Sequence, residues 1–463
     1  MGDVLLTHGY FLYEDEKEIQ IMRPYPTLGL LYISAYLRRA GFSVDLYDTT
    51  FGSREELFAK FAASQGSVVG IYTNLMTRRA VLDIVLEAKR HNWTVVLGGP
   101  ESANYPQQYI EHGADVVVIG EGEETMAQLL PALAANGPNR LHGVAGTVFR
   151  DEMGQVITNV ERPQIAHLDD IPWPDRDQID QNKYIDVWRE KHGMGSVNLI
   201  TARGCPYKCK WCSHAVFGFS HRRRSAMDTA NEVEHIVRTY APDQVWYADD
   251  VFTIHHGWLR EYAAELKRRN IKMPFETISR ADRMMKDEIL EILAGMGCYR
   301  VWIGSESGSQ RILNAMERGV SVEQVQWATK AAQRHGIQVG MFLMWGYEGE
   351  TEEDIAATVD HVKKCNPDTF LTTVSYPIMN TGYYKKVSDL VVLNKSWADA
   401  TDRDYMVRGR HSRAYYREAD QWLKNEVAAF RLEQTDPVVS AEKREFAMLA
   451  RQKMQALASE LEA

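Results

Sequence analysis

The chain has 463 residues, 45% hydrophobic and 25% charged, with a net charge of −10. That length allows about three domains with real cores, and the acidic balance argues against a nucleic-acid-binding face. No apolar run approaches the roughly 20 residues of a membrane span, the N-terminus lacks a basic start and a small-residue cleavage site, and five cysteines, three of them within eight residues, make no disulfide framework. A reducing cytoplasm is the expected location.

Between Asp3 and Leu133 short apolar runs alternate with helix-length amphipathic ones. DVLLT, FSVDLYD, SVVGIYTN, TVVLGGP and ADVVVIGEGEE read as strands, and PTLGLLYISAYLRRAG reads as a helix ended by Gly41. Five strands with intervening helices predict a doubly wound, flavodoxin- or Rossmann-like parallel sheet over residues 1–150, with ligands at the carboxyl ends of its strands. The polar, proline-containing RPQIAHLDDIPWPDRDQID then predicts a linker, residues 151–190, lying over another domain.

The alternation restarts at SVNLITARG and runs through QVWYADDVFT, PFETISRAD, YRVWIGSESG, QVGMFLMWGYEGE and DTFLTTVSYPIM. Six βα units are fewer than the eight of a closed barrel, so residues 191–384 are expected to form an open, partial (β/α)6 barrel of TIM type. Beyond about Tyr384 the strands are expected to stop. Residues 385–463 read as a helical extension, its last helix charged and packed on the surface. The one basic run, HRRRS at 221–225, reads as a solvated loop.

The stretch LITARGCPYKCKWCSHAVFG holds Cys205, Cys209 and Cys212. Gaps of three and two residues let one short loop wrap a metal cluster, and thiolates hold iron–sulfur clusters, normally four per [4Fe–4S]. Structural zinc also takes four ligands, usually as two separated pairs. The remaining cysteines, Cys298 and Cys365, lie in different βα units and read as buried core. His214, two residues after Cys212, is badly spaced for one tetrahedral site. A cluster with one iron left open uses all three thiols.

CPYKCKWC, with Trp211 before its last cysteine, resembles the cluster loop of radical S-adenosylmethionine (SAM) enzymes. The resemblance implies a [4Fe–4S] cluster on Cys205, Cys209 and Cys212, SAM chelating its open iron, and one-electron cleavage of SAM to methionine and a 5′-deoxyadenosyl radical. IGSESGSQRIL resembles the family's fourth-strand SAM segment, which implies that Glu306 and Ser307 face the amino-acid or ribose groups of SAM. MERGVS places Arg318 where the family often has a basic residue near the SAM carboxylate, a surface residue after a helix being the other reading. MWGYEGETEED resembles the glycine-rich fifth-strand segment G-x-P-G-E-T, which brings Gly346 to SAM, with Glu348 in place of the proline and Gly349 also shaping the turn. YADDVFT puts Asp249 and Asp250 at the second strand's end, Asp249 as a SAM contact, with capping as the alternative for one of them. Trp345, Tyr347 and Tyr376 read either as substrate contacts or as packing.

PTLGLLYISAYLRRAGFSVDLYD, LGGPES and VVIGEGEET resemble the cobalamin-binding domain of B12-dependent radical SAM enzymes. With the barrel, the resemblance runs to about Tyr384, in the branch that includes the anaerobic magnesium-protoporphyrin monomethyl ester cyclase and several C-methyltransferases. It implies cobalamin contacts at Gly98 and Gly99, where a missing side chain lets the backbone come close, and at Gly120, Glu121 and Gly122, which open a helix. Thr73, Asn74 and Leu75 are the candidates for the lower face. Two departures stand out. The family's D-x-H-x-x-G pattern meets His8 here, but Leu6 and Phe11 take the Asp and Gly positions, so His8 reads as a turn residue and no histidine ligand is expected. Glu101 follows GGP where many relatives have histidine. A flavodoxin-like domain that binds another ligand, or none, would carry much the same pattern.

The combination implies a cobalamin-dependent radical SAM C-methyltransferase, in which the deoxyadenosyl radical removes hydrogen from an unactivated carbon that then takes methyl from methylcobalamin. Oxidative cyclisation or rearrangement without methyl transfer is the alternative. Methylthiolation is disfavoured, because that group needs a second cysteine set and no cysteine precedes Cys205. The implied partners are a small-molecule, lipid or peptide substrate and an electron donor such as flavodoxin or ferredoxin.

Overall fold

The computed structural model describes residues 2–64, 66–401 and 404–462. The chain divides into two compact units: one contains the residues up to Pro206, Ser213–Trp246 and the segment from Lys395, the other Tyr207–Cys212, Tyr247–Asn394 and the C-terminal residues.

The first unit is built on a sheet of β1 (Val4–His8), β2 (Val44–Tyr47), β3 (Val68–Tyr72), β4 (Thr94–Gly98), β5 (Val116–Val118), β6 (Thr147–Arg150) and β7 (Val156–Thr158). Their order is β2-β1-β3-β4-β5-β6-β7. The five expected strands are parallel. Strands covered on both faces read as near-continuous apolar runs, and Val4, Leu6, Val96, Val116 and Val118 pack with Leu30 and Leu37 of helix Leu28–Arg39 and with Met126, Leu129 and Leu133 of helix Gly122–Asn136. The sequence reading missed the antiparallel pair β6 and β7. These strands are short and flanked by polar residues, and β7 lies within the stretch read as linker. Asp151 closes the turn between them by accepting from the amides of Met153 and Gln155.

The rest of that stretch lies on the first unit through side-chain bonds: Arg162 Nε donates to Thr125 Oγ1 at 2.8 Å, and Ser34 Oγ to Asp175 Oδ2 at 2.8 Å. It also contains an unexpected helix, Gln181–His192, which Asp180 caps and Gly193 ends in the left-handed region at φ 79°. The unit continues with β8 (Ser196–Leu199), β9 (Ala202–Arg203) and β10 (Arg222–Arg223). The run HRRRS is therefore not a solvated loop. It forms β10, antiparallel to β9, and Arg224 is buried against Glu232 and Asp228.

All six strands expected of the partial barrel form: β8, then β11 (Gln244–Tyr247), β12 (Phe275–Ser279), β13 (Cys298–Glu306), β14 (Gln338–Trp345) and β15 (Thr369–Val374). In the second unit β12, β13, β14 and β15 pair in that order, all parallel, with helices Asp287–Met296, Val322–Arg334 and Glu352–Cys365 between them in the chain. Cys298 and Cys365 are buried, as expected.

Strands do not stop at Tyr384. β16 (Val391–Leu393) and β17 (Tyr405–Val407) form an antiparallel pair, while Asp402 and Arg403, within the expected helical extension, lie outside the described residues. The final helices are Arg413–Leu432 and Pro437–Ala456. The last helix is more than a surface layer. Ala447, Ala450 and Met454 join Tyr416, Trp422 and Leu423 in one cluster with Leu343, Trp345, Ile355 and Val359. Among the described residues no helix is long and apolar enough to cross a membrane.

Candidate cofactor site

The cysteine loop is closed at its base by two-residue strands, with Arg203 facing Arg222 and Ala202 facing Arg223. Gly204 permits the closure: at φ 83°, a Cβ there would lie 2.4 Å from the Ser220 carbonyl oxygen. The loop's middle groups with the second unit. Lys210 donates its amide to Met316 O at 3.0 Å and accepts from Tyr383 N at 2.7 Å. Trp211 packs on the cluster of Ile312, Met316, Met344, Tyr347 and Tyr383. Cys205 is half-buried, Cys209 buried and Cys212 exposed, and none of the three is in a disulfide.

Two guanidinium groups converge on Cys209. Arg318 Nη1 is 3.8 Å from its Sγ and Arg280 Nη1 is 3.9 Å away. The hydrogen bond from Cys212, with both guanidiniums adding to it, draws Cys209 down to about 5, while Cys212 is pushed up by holding the shared proton. Such electropositive surroundings favour thiolate, the form that ligates metal. Arg318 is therefore not a surface residue: it is buried, and its Nη2 donates to Gly304 O at 3.0 Å. Arg280 escaped the sequence reading. Its Nη2 donates to Arg318 O at 2.9 Å, and its guanidinium lies 3.6 Å over the Tyr207 ring. The available signal was position alone, one residue past the carboxyl end of β12, where barrel active sites gather.

Glu306 ends β13 in an unusual conformation. Its φ is 61°, Ser307 N donates back to Ser305 O at 2.7 Å, and the β13–β14 register shifts between Gly304 and Glu306. The carboxylate lies 3.9 Å from Arg318 Nε, and burial pushes it up to about 7 against that guanidinium's pull. A Cβ on Gly304 would stand 2.6 Å from Glu306 Oε1 and 2.8 Å from Arg318 Nη2, so an alanine there would displace one of these side-chain ends.

The other residues singled out for SAM are placed differently. Ser307 Oγ is engaged by Thr358 Oγ1 at 3.2 Å and by Ser309 N at 3.1 Å. Gly346, at φ 69°, donates its amide to Glu350 Oε2 at 2.6 Å and lies against the Tyr416 ring. Asp249 is buried and Asp250 exposed. Trp345 and Tyr347 are both core: Trp345 joins the cluster under the C-terminal helices, and Tyr347 stacks on Tyr383 at 4.7 Å. Tyr376, just past β15, is half-buried.

In the first unit the cobalamin candidates sort by what surrounds them. A Cβ on Gly98 would meet nothing within 4 Å, and one on Gly120, at φ 83°, only Val216 O at 3.8 Å. These two leave room for a ligand against backbone. Gly99, at φ 108°, and Gly122 answer to packing, since a Cβ would lie 2.3 Å from Thr73 O and 2.7 Å from Ile33 Cδ1 respectively. Thr73 Oγ1 donates to Gly98 O at 3.0 Å and accepts from Ser102 N, and Asn74 caps Thr77 reciprocally, which leaves Leu75 half-buried beside them.

Glu121 holds the cysteine loop's base. Its carboxylate accepts from Arg203 Nη1 at 2.7 Å, Arg222 Nη1 at 2.7 Å and Ile165 N at 2.8 Å, and Glu123 takes the other arm of Arg203 at 2.5 Å. His8 has both ring nitrogens engaged, Nε2 with Asp48 Oδ1 at 2.9 Å and Nδ1 with Thr49 Oγ1 at 2.9 Å. Glu101 is buried against Arg78, which also donates to Trp397 O and Ala400 O.

Against known proteins, residues 199–362 match the radical SAM superfamily model and residues 20–130 the B12 binding domain. The chain is 28% identical over 403 residues to an uncharacterized methyltransferase of Pyrococcus horikoshii, covering 83% of this chain and 84% of that one. It is 26% identical over 384 residues to the anaerobic magnesium-protoporphyrin IX monomethyl ester cyclase of Rubrivivax gelatinosus, 80% of this chain and 68% of the cyclase. Among solved structures it is similar to the radical S-adenosylmethionine methyltransferase TsrM from Kitasatospora setae, with cobalamin and a [4Fe–4S] cluster bound, at a TM-score of 0.70 and 19% identity over 86% of this chain and 78% of TsrM. At that identity the likeness is one of fold.

Proposed function

We propose that this chain, whose residues 199–362 match the radical SAM superfamily and residues 20–130 the B12 binding domain, is a cobalamin-dependent radical SAM C-methyltransferase. The observation that carries the reading is the convergence of Arg280 and Arg318 on the Cys209 thiol, with the buried Glu306 beside Arg318. Cys205, Cys209 and Cys212 would hold the [4Fe–4S] cluster, and the backbone at Gly98 and Gly120 would lie against cobalamin. When bound, these groups supply one-electron cleavage of SAM and a transferable methyl.

The protein's own share is binding and charge placement. Cationic Arg280 and Arg318 would offset the negative charge of a thiolate-ligated cluster. The charge of Arg318 and its buried Nε, without a hydrogen-bond partner among the described residues, suit the SAM carboxylate. Glu306 suits the SAM ammonium. A cation arriving there draws a carboxylate with a raised pKa back to its charged form. The barrel of residues 191–384 would host SAM and the domain of residues 1–150 cobalamin, its sheet continued to Thr158 by β7, with residues 151–190 between them and 385–463 as the helical extension. The substrate would be a small molecule, lipid or peptide, the electron donor a flavodoxin or ferredoxin, and the compartment the reducing cytoplasm.

Anaerobic reconstitution with iron, sulfide, cobalamin and SAM, followed by product analysis with candidate substrates, tests this. The expected products are 5′-deoxyadenosine, methionine and S-adenosylhomocysteine. 5′-Deoxyadenosine with no S-adenosylhomocysteine across the panel overturns methyl transfer in favour of cyclisation or rearrangement. Full iron content in Cys209→Ala overturns the cluster assignment.

A further inference from the structure

Glu306 adopts a backbone conformation that a residue with a side chain rarely takes. A φ of 61° combined with a 2.7 Å bond from Ser307 N to Ser305 O makes a three-residue turn with Glu306 at its centre. Ser305 is the extra residue of the register shift, since Gly304 pairs Phe342 and Glu306 pairs Leu343. Such conformations persist only where the surroundings over-determine them.

Helix Glu352–Cys365 supplies the surroundings. Asp354, Thr358 and His361 are spaced four and three residues apart and so share one face. His361 Nε2 bonds Ser305 Oγ at 2.9 Å, just before the turn. Thr358 Oγ1 accepts from Gly308 N at 2.9 Å and meets Ser307 Oγ at 3.2 Å, just after it. Asp354 Oδ1 accepts from Ser309 Oγ at 2.6 Å. The loop is pressed directly onto the helix: a Cβ on Gly308 would lie 2.4 Å from Ala357 O and 2.6 Å from Thr358 Cα. Gln326 Nε2 donates to His361 Nδ1 at 3.3 Å, which assigns the ring proton to Nε2 and directs it at Ser305.

We infer that Asp354, Thr358 and His361 form a brace that forces Glu306 into its left-handed conformation and thereby sets its carboxylate beside Arg318. They are positioning residues, acting through Ser305, Ser307 and Gly308. The brace deepens the proposed function, because its consequence for SAM rests on Glu306 being a SAM contact.

Two assays on the full-length protein keep the two claims apart. The first compares melting of Glu306→Gly and Glu306→Ala, which both lack the carboxylate and differ by one methyl group and in backbone freedom. In the otherwise native chain the Gly variant melts several degrees above the Ala variant. Adding Thr358→Val or His361→Ala lets the backbone relax, and the gap shrinks by at least half. An unchanged gap in both backgrounds overturns the brace, whatever Glu306 binds. The second assay measures SAM binding to the reconstituted, unreduced protein. Thr358→Val and His361→Ala weaken SAM at least tenfold at full iron content, while His361→Gln, which keeps a donor toward Ser305, stays within threefold of the parent. Native SAM affinity in Thr358→Val and His361→Ala overturns the positioning role. Native affinity in Glu306→Gln instead overturns the SAM contact proposed for Glu306, and the melting comparison still decides the brace.

Discussion

Glu121 and Arg203 are joined by a 2.7 Å buried ion pair, which ties the loop after β5 to the strand that leads into the cysteines. Arg222, on the strand that leaves the loop, binds the other oxygen of the same carboxylate. Removing one partner of such a cluster leaves buried charge uncompensated and costs about 3–5 kcal/mol. Glu121→Ala is therefore expected to lower unfolding stability by that order in denaturant titration and to reduce iron bound per chain on reconstitution. Unchanged stability and iron loading would show that the loop's base holds without Glu121.

A side chain at Gly304 is expected to disturb the Glu306–Arg318 pair rather than the fold. Its Cβ would meet the ends of Glu306 and Arg318 below 3 Å, so the alanine variant must displace one of them. Overpacking of this kind costs about 1–3 kcal/mol. Gly304→Ala should stay folded by circular dichroism yet lose at least a hundredfold in 5′-deoxyadenosine formation. Near-native SAM cleavage in the folded variant would remove the Glu306–Arg318 pair from the mechanism.

Arg280 and Arg318 each place a positive charge about 4 Å from Cys209 Sγ. Cationic neighbours favour the more negative, reduced state of a cluster, so losing one lowers the midpoint potential. Arg280→Met and Arg318→Met are each expected to shift it down by up to about 180 mV, the one-electron equivalent of about 4 kcal/mol at about 4 Å and an effective dielectric near 20. Spectroelectrochemistry on the reconstituted variants checks the sign. A rise would contradict the geometry.

His361 carries a pH prediction. Burial holds it neutral and lowers it to about 4 from 6.5, with Lys364 pushing the same way and Glu323 opposing. The unfolded chain takes up a proton near pH 6.5 that the folded chain refuses until about 4. Stability is therefore full above pH 6.5 and falls as pH drops toward 4, by up to about 3 kcal/mol at roughly 1.4 kcal/mol per unit. His361→Gln should flatten that part of the stability–pH curve, read by urea titration at several pH values. A curve as steep as the parent's would assign the acid sensitivity to other groups.

Much of the architecture was legible because it is written in local pattern. The five parallel strands of the first sheet and the six barrel strands are apolar runs separated by amphipathic helices, and burial on both faces of a parallel sheet demands that pattern. The pairs β6–β7 and β16–β17 were not legible. Three- and four-residue strands carry too few side chains to show a period, and only their partners across the sheet make them strands. The cysteine spacing is likewise local, with Cys205, Cys209 and Cys212 falling within eight residues.

What the sequence determined by itself was therefore the inventory: strands, helices, three thiols and a glycine-rich set of turns, each specified by neighbours a few positions away. Tertiary structure decided which charges meet. Arg280 and Arg318 reach Cys209 from positions 71 and 109 residues along the chain, and His361 reaches Ser305 across 56. An arginine reads the same in sequence whether it lies in solvent or against a thiol. Burial and distance alone separate the basic run 221–225, expected on the surface, from the buried ion pairs it makes, and they turn Glu306 from a carboxylate at a strand's end into one held in a strained turn beside a cation.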